Sequence, residues 1–166
     1  MKSVEFWHAR PTHFWHQVAD IDPTFSFAHL YEDAGFDGLL FFDTQNLAPE
    51  VYVSLAAAAN VTTTLKLGTG VTNPMTRHAA VTASAMATLQ TISDGRAYLG
   101  IGRGDSSLAH LGYSPSSAST LEAYLIDLQR YLRGENVEFA NDSNCLLYTS
   151  DAADEGLGVD LGGRRI

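Results

Sequence analysis

Four short stretches hold the side chains whose types and spacing could do chemistry. They are His8, then Asp43-Thr44-Gln45-Asn46, Gly70-Val71-Thr72-Asn73, and Gly102-Arg103-Gly104-Asp105. An imidazole can carry a proton near neutral pH, and a carboxylate can do so where its surroundings tune it. Gly100-x-Gly102-x-Gly104 resembles a phosphate cradle, although it lacks the G-x-G-x-x-G spacing. Each member also has a plain structural reading: His8 as a packed histidine beside Trp7, Asp43 as the head of an Asx-turn. Arg77 and His78 fall where a helix opens, against its macrodipole, so a bound anion, a neighbouring carboxylate or plain solvent could account for them.

What unites the four stretches is the elements that must position them. Residues 2–8 alternate Val4, Phe6 and His8 against Ser3, Glu5 and Trp7, which predicts a strand ending at His8. GLLFFD, residues 38–43, is a continuous apolar run closed by an acid, as expected of a strand buried on both faces. Strands over 65–71 and 96–101 follow, the first with glycines at its end that suggest a bulge or a close ligand approach.

Helices are expected between them. Asp22-Pro23 opens one that stops at Gly35 with Phe27, Leu30, Tyr31 and Ala34 inward; Pro49 opens another, with Val51, Leu55 and Ala58 inward and Asn60 as a left-handed stop. A third spans 77–92 with Val81, Ala85, Leu89 and Ile92 facing the core. In the last, Ser119 and Glu122 form a capping box, Leu121, Leu125, Leu128 and Leu132 form the stripe, and Gly134 is the stop. The order is α/β, four parallel (β/α) units, and all four chemical stretches fall at strand C-terminal ends, where such sheets bind ligands.

Four units fit a small doubly wound sheet or the N-terminal half of a TIM (β/α)8 barrel. Residues 145–166, CLLYTSDAADEGLGVDLGGRRI, lose all periodicity and resemble a translated sequencing-library adapter. This reading makes 1–144 the barrel half and 145–166 a disordered artefact, and a chain interrupted after its fourth helix favours the barrel.

Composition narrows the function classes. The chain has 166 residues, 45% hydrophobic and 17% charged, with a net charge of −9. No Lys/Arg cluster is available to neutralise phosphates, which argues against nucleic acid, and no apolar run is long enough for a membrane. The expectation is a cytoplasmic protein. Cys145 is the single cysteine and lies in the aberrant tail, so no disulfide, thiolate metal site or cysteine nucleophile is expected in 1–144, and no metal-binding residue is assigned.

Residues 67–108, LGTGVTNPMTRHAAVTASAMATLQTISDGRAYLGIGRGDSSL, together with AGFDGLLFFDTQNLAPEVYVSLAAAA from Ala34 to Ala59, resemble the luciferase-like flavin and deazaflavin oxidoreductases. Within them the likeness is to the coenzyme F-420-dependent branch, of the methylene-tetrahydromethanopterin reductase kind. The resemblance implies a (β/α)8 barrel with the cofactor ring over its C-terminal face, and a non-prolyl cis peptide at Gly70-Val71 backing that ring. It implies cofactor contacts from Asp43, Thr44, Gly70, Val71, Thr72, Asn73, Gly102 and Gly104.

Asp105 matches a carboxylate near the hydride-accepting carbon, and Asp43 the acid after the second strand. Alcohol- and sugar-oxidising members follow that acid with His, where this chain has Thr44; His8 could serve instead. The implied reaction is hydride transfer between F-420 and a small organic substrate, with Asp105 or His8 handling a proton, and the 166-residue chain, read as a truncated half of the parent enzyme, is expected to be inactive on its own. An FMN-dependent monooxygenase is the alternative within the fold. A non-catalytic half-barrel is the alternative outside it, because the family holds the cofactor's phosphate largely with its second half. A homo-oligomer of the full-length protein is also compatible.

Overall fold

The computed structural model describes residues 4–10, 27–45 and 47–137. Four strands, β1 (Trp7–Arg10), β2 (Gly38–Phe41), β3 (Lys66–Thr72) and β4 (Ala97–Ile101), form one parallel sheet in sequence order. Among the described residues the helices are α1 (Phe27–Asp33), α2 (Val51–Val61), α3 (Ala79–Ile92), α4 (Asp105–Ala109) and α5 (Ala118–Leu132); α1, α2 and α3 pack on the sheet, and α5 packs chiefly on α3. Among the described residues, no helix is long and apolar enough to cross a membrane.

The two faces of the sheet differ in side-chain size. Leu39, Phe41, Leu67, Ala97 and Leu99 face the helices and meet Ala28, Val51, Leu55, Ala58, Met86 and Leu89. Each fully buried Leu or Phe there contributes roughly 1.5–3 kcal/mol. The opposite face is lined by Gly38, Leu40, Gly68, Gly70, Tyr98 and Gly100. With no Cβ at Gly38, the Trp7 ring lies over that residue and reaches Tyr98 edge-on at 5.1 Å.

Two polar clamps join the units at the N-terminal end of the sheet. Glu32, at the end of α1, accepts hydrogen bonds from the backbone N–H groups of Thr63, Thr64 and Leu65 and from the Thr64 hydroxyl. Burial alone would raise its pKa, but these donors hold it down at about 2. Arg96 donates to the carbonyls of Ala59, Thr62, Leu65 and Ser93, so it satisfies the C-terminal end of α2 while fixing the start of β3.

Several boundaries differ from the sequence reading for local reasons. Val4 and Phe6 are exposed, and β1 begins only at Trp7, so the alternation over 2–8 does not mark a half-buried strand. Glu50 rather than Pro49 caps α2 by accepting from the Val53 N–H, and the helix runs on through Asn60 to Val61. Ser117 caps α5 by accepting from the Thr120 N–H, two residues before the expected capping box. In α3 the buried face is Ala79, Thr82, Ala83, Met86 and Leu89, while Val81 and Ile92 are exposed. Small residues set that face because they let the helix lie close to the sheet. In α1, Ala28 is buried and Leu30 exposed; in α5, Tyr124 and Leu128 are buried and Leu132 is exposed. Gly35 and Gly134 end α1 and α5 as expected, each with positive φ. The expected helix start at Asp22-Pro23 and the segment 145–166 lie outside the described residues.

Candidate active site at the C-terminal ends of the strands

Glycines after β3 and β4 open the site. The pairing of these strands is regular up to Thr69↔Leu99 and resumes at Thr72↔Ile101, so Gly70-Val71 forms a bulge, and the peptide between them is cis. A Cβ on Gly100 would lie 2.3 Å from the Thr69 carbonyl oxygen, and one on Gly102 would lie 3.1 Å from Val71 Cγ2. The bulge therefore needs Gly beside it. Gly104 has φ +86°, and its Cα packs under Asn73 and Leu108, turning the chain into α4.

The result is a cleft of about 350 Å³ lined by Phe42, Asp43, Thr44, Gly70, Val71, Gly102, Arg103, Gly104, Asp105, Ser106 and Ser107. Three strand ends thus converge on one space. Val71 is half exposed within it, presenting an apolar surface framed by glycines. Asp105 stands exposed in the first turn of α4, at the wall of the cleft.

Asp43 is only 2% exposed and fully engaged. Arg77 meets it through Nη1 at 2.5 Å from Oδ2 and Nη2 at 3.1 Å from Oδ1; the Thr72 hydroxyl donates to Oδ2 at 2.6 Å, and Gln45 Nε2 donates to Oδ1 at 2.7 Å. Arg77 also donates to Glu50 and lies over the Tyr52 ring at 5.0 Å. Burial alone would lower the Arg77 pKa, but Asp43 and then Glu50 raise it above its ordinary value. The carboxylate neighbour that could account for Arg77 is thus present, and His78 caps α3, its Nδ1 accepting from the Ala80 N–H.

Seven of the ten residues singled out from sequence line this cleft: Asp43, Thr44, Gly70, Val71, Gly102, Gly104 and Asp105. Thr72 and Asn73 are fully buried behind it. Thr72 serves Asp43, while Asn73 Oδ1 accepts from the Met75 and Thr76 N–H groups and its Nδ2 donates to Ser107 Oγ at 3.4 Å. Their part in the site is to hold the bulge and the β3–α3 loop.

His8 is not among the residues that line this cleft. It lies within β1 rather than at its end, and it stacks on Tyr31 at 4.9 Å with Phe36 edge-on at 6.2 Å. Strand alternation sends it to the helix side. The packed-histidine reading is the one the geometry supports.

Arg103, Ser106, Ser107 and Phe42 are cleft residues that residue-type reasoning did not select. Arg103 Nε donates to the Ser116 carbonyl at 2.6 Å, while its two terminal nitrogens have no partner among the described residues. Its place inside the Gly100–Gly104 run was the available signal. Among the described residues, no group of three or more His, Cys, Asp or Glu side chains is arranged to hold a metal ion.

A cleft of mixed polar and apolar lining at the C-terminal ends of parallel strands, backed by an outer helical layer, has the position of the ligand face of a (β/α)8-type half-barrel. Residues 4–145 match the luciferase-like monooxygenase family, and the chain belongs to it. A 5,10-methylenetetrahydromethanopterin reductase from Methanolobus tindarius is 40% identical over 126 residues, 73% of this chain and 38% of that protein. The solved structure of the coenzyme F420 dependent tetrahydromethanopterin reductase from Methanopyrus kandleri superposes with a TM-score of 0.69 at 32% identity, covering 84% of this chain and 43% of that one. An oxygenating constituent of 3,6-diketocamphane monooxygenase from Pseudomonas putida, in complex with FMN, has a TM-score of 0.71 at 18% identity over 85% and 42% of the two chains, a likeness of fold. The chain spans less than half the length of these relatives.

Proposed function

We propose that this chain contributes the catalytic face of an oxidoreductase that uses coenzyme F-420 to exchange a hydride with a small organic substrate. The observation that carries this reading is the Gly70-Val71 bulge, an apolar platform bordered by Gly100, Gly102 and Gly104, opposite a free carboxylate at Asp105. A planar ring fits such a surface because no side chain rises from the flanking positions. The solved coenzyme F420 dependent reductase, 32% identical, supports F-420, while the FMN-bound neighbour is 18% identical and a likeness of fold.

A deazaflavin bound there supplies hydride transfer at C5. Val71 with Gly70, Gly102 and Gly104 would hold the ring there. Phe42 and Thr44 bound the opposite wall, and Arg103 offers two unengaged donors to an anionic or carbonyl group at the rim. Asp105 is the group free to take or give a proton at the substrate, since Asp43 is committed to Arg77, Thr72 and Gln45. Asp43 acts on the site through Thr72, which holds the end of the bulge. We also propose that the barrel half ends at residue 144 and that 145–166 is not part of it, a boundary supported by the family match ending at 145.

The test is a titration of oxidised F-420 and, separately, FMN into the protein, followed by fluorescence. F-420 is expected to bind saturably and more tightly than FMN. A preference for FMN would move the assignment to the monooxygenases, and absence of binding by either would favour a non-catalytic half-barrel.

A further inference from the structure

Beside the cleft, on the same end of the sheet, lies a second cavity of about 490 Å³ lined by Gln45, Met75, Thr76, Leu108, Leu111 and Tyr113. Its size falls within the range of small-molecule sites, about 300–1,000 Å³. Its walls come from the β2–α2 loop, the β3–α3 loop and the segment from α4 onward. Leu108 is fully buried, while Met75 and Tyr113 are exposed at the edge.

One lining residue, Gln45, carries an unsatisfied polar atom. Gln45 Nε2 donates to Asp43 Oδ1 at 2.7 Å, and a carboxylate oxygen paired with Arg77 accepts only, so the amide orientation is fixed. The other end of the amide, Oε1, is buried and has no hydrogen-bond partner among the described residues. A buried acceptor without a partner is unfavourable until a donor arrives.

We infer that this cavity is a binding site for an apolar ring compound that carries an N–H donor at its edge, received by Gln45 Oε1 among Met75, Leu108, Leu111 and Tyr113. The apolar walls take the ring; the oxygen reads the donor. Because Asp43 holds both Gln45 and the β3 bulge, the cavity and the cleft share one anchor. The inference needs no redox cofactor, so it stands or falls apart from the proposed reaction.

The probes are indole and benzofuran, two rings of matched shape of which only indole donates a hydrogen bond. Calorimetric titration into the 166-residue protein is expected to give indole an affinity about 3- to 10-fold higher. The Met75 methyl resonance should shift with both. Gln45→Met is expected to bring the two affinities together, and Tyr113→Ala, at the exposed rim, to weaken both while keeping their ratio. Equal binding to the unaltered chain, no binding of either at millimolar concentration, an unmoved Met75 methyl, or loss of the ratio in Tyr113→Ala would overturn the inference.

Discussion

Arg77 and Asp43 meet as a two-pronged ion pair that joins the loop after β3 to the end of β2, with 2.5 Å and 3.1 Å between the paired atoms. Asp43 is 2% and Arg77 14% exposed at the side chain, so the pair is mostly withdrawn from water. Removing Arg77 alone leaves a buried carboxylate without its counter-charge. Arg77→Met is expected to cost about 3 kcal/mol, with Arg77→Met/Asp43→Asn recovering part of the loss. Urea denaturation of the two single variants and the double variant measures the coupling.

The Glu32 clamp predicts a pH dependence. Its folded pKa of about 2 lies below the free value of 4.5, so its contribution is complete above pH 4.5 and is lost as pH falls through about 2. Glu32→Gln should therefore destabilise the protein at neutral pH by about 1–3 kcal/mol, and the gap from the parent should shrink steadily between pH 4.5 and 2. Denaturation curves across that range check it; a gap independent of pH would contradict the clamp.

Gly100 faces the Thr69 carbonyl with no room for a side chain. Gly100→Ala is expected to cost about 3 kcal/mol and to disturb the β3–β4 ladder beside the bulge. Loss of amide protection at Thr69 and Leu99 in hydrogen exchange is the readout.

Asp105 has the opposite profile. It is exposed and accepts no hydrogen bond among the described residues, so Asp105→Asn should leave stability within about 0.5 kcal/mol of the parent. If it handles a proton, turnover by the loaded holoenzyme falls about 100-fold with cofactor binding retained. Comparing single-turnover rates with fluorescence titrations separates the two effects.

The sheet was legible because β2 and β3 are long apolar or Gly-marked runs whose pattern survives without context. The cleft was legible because three of the four chemical stretches fell at strand ends, and the bulge at Gly70-Val71 was implied by family resemblance. The bounds of β1 were less legible, because the alternation that placed His8 at a strand end depended on Val4 and Phe6, which tertiary packing leaves exposed. The role of Asp43 was hidden for a different reason: its partner Arg77 is 34 residues away, and no local spacing reveals such a pair. Gln45 was passed over because an amide declares its function only once the carboxylate beside it fixes its orientation.

The most direct test of the account is the fluorescence titration of oxidised coenzyme F-420 against the protein and against Val71→Asp. The account predicts saturable one-to-one binding, tighter than that of FMN and lost when a charge is placed on the half-exposed platform. Absence of saturable binding, or binding that Val71→Asp leaves unchanged, would contradict it.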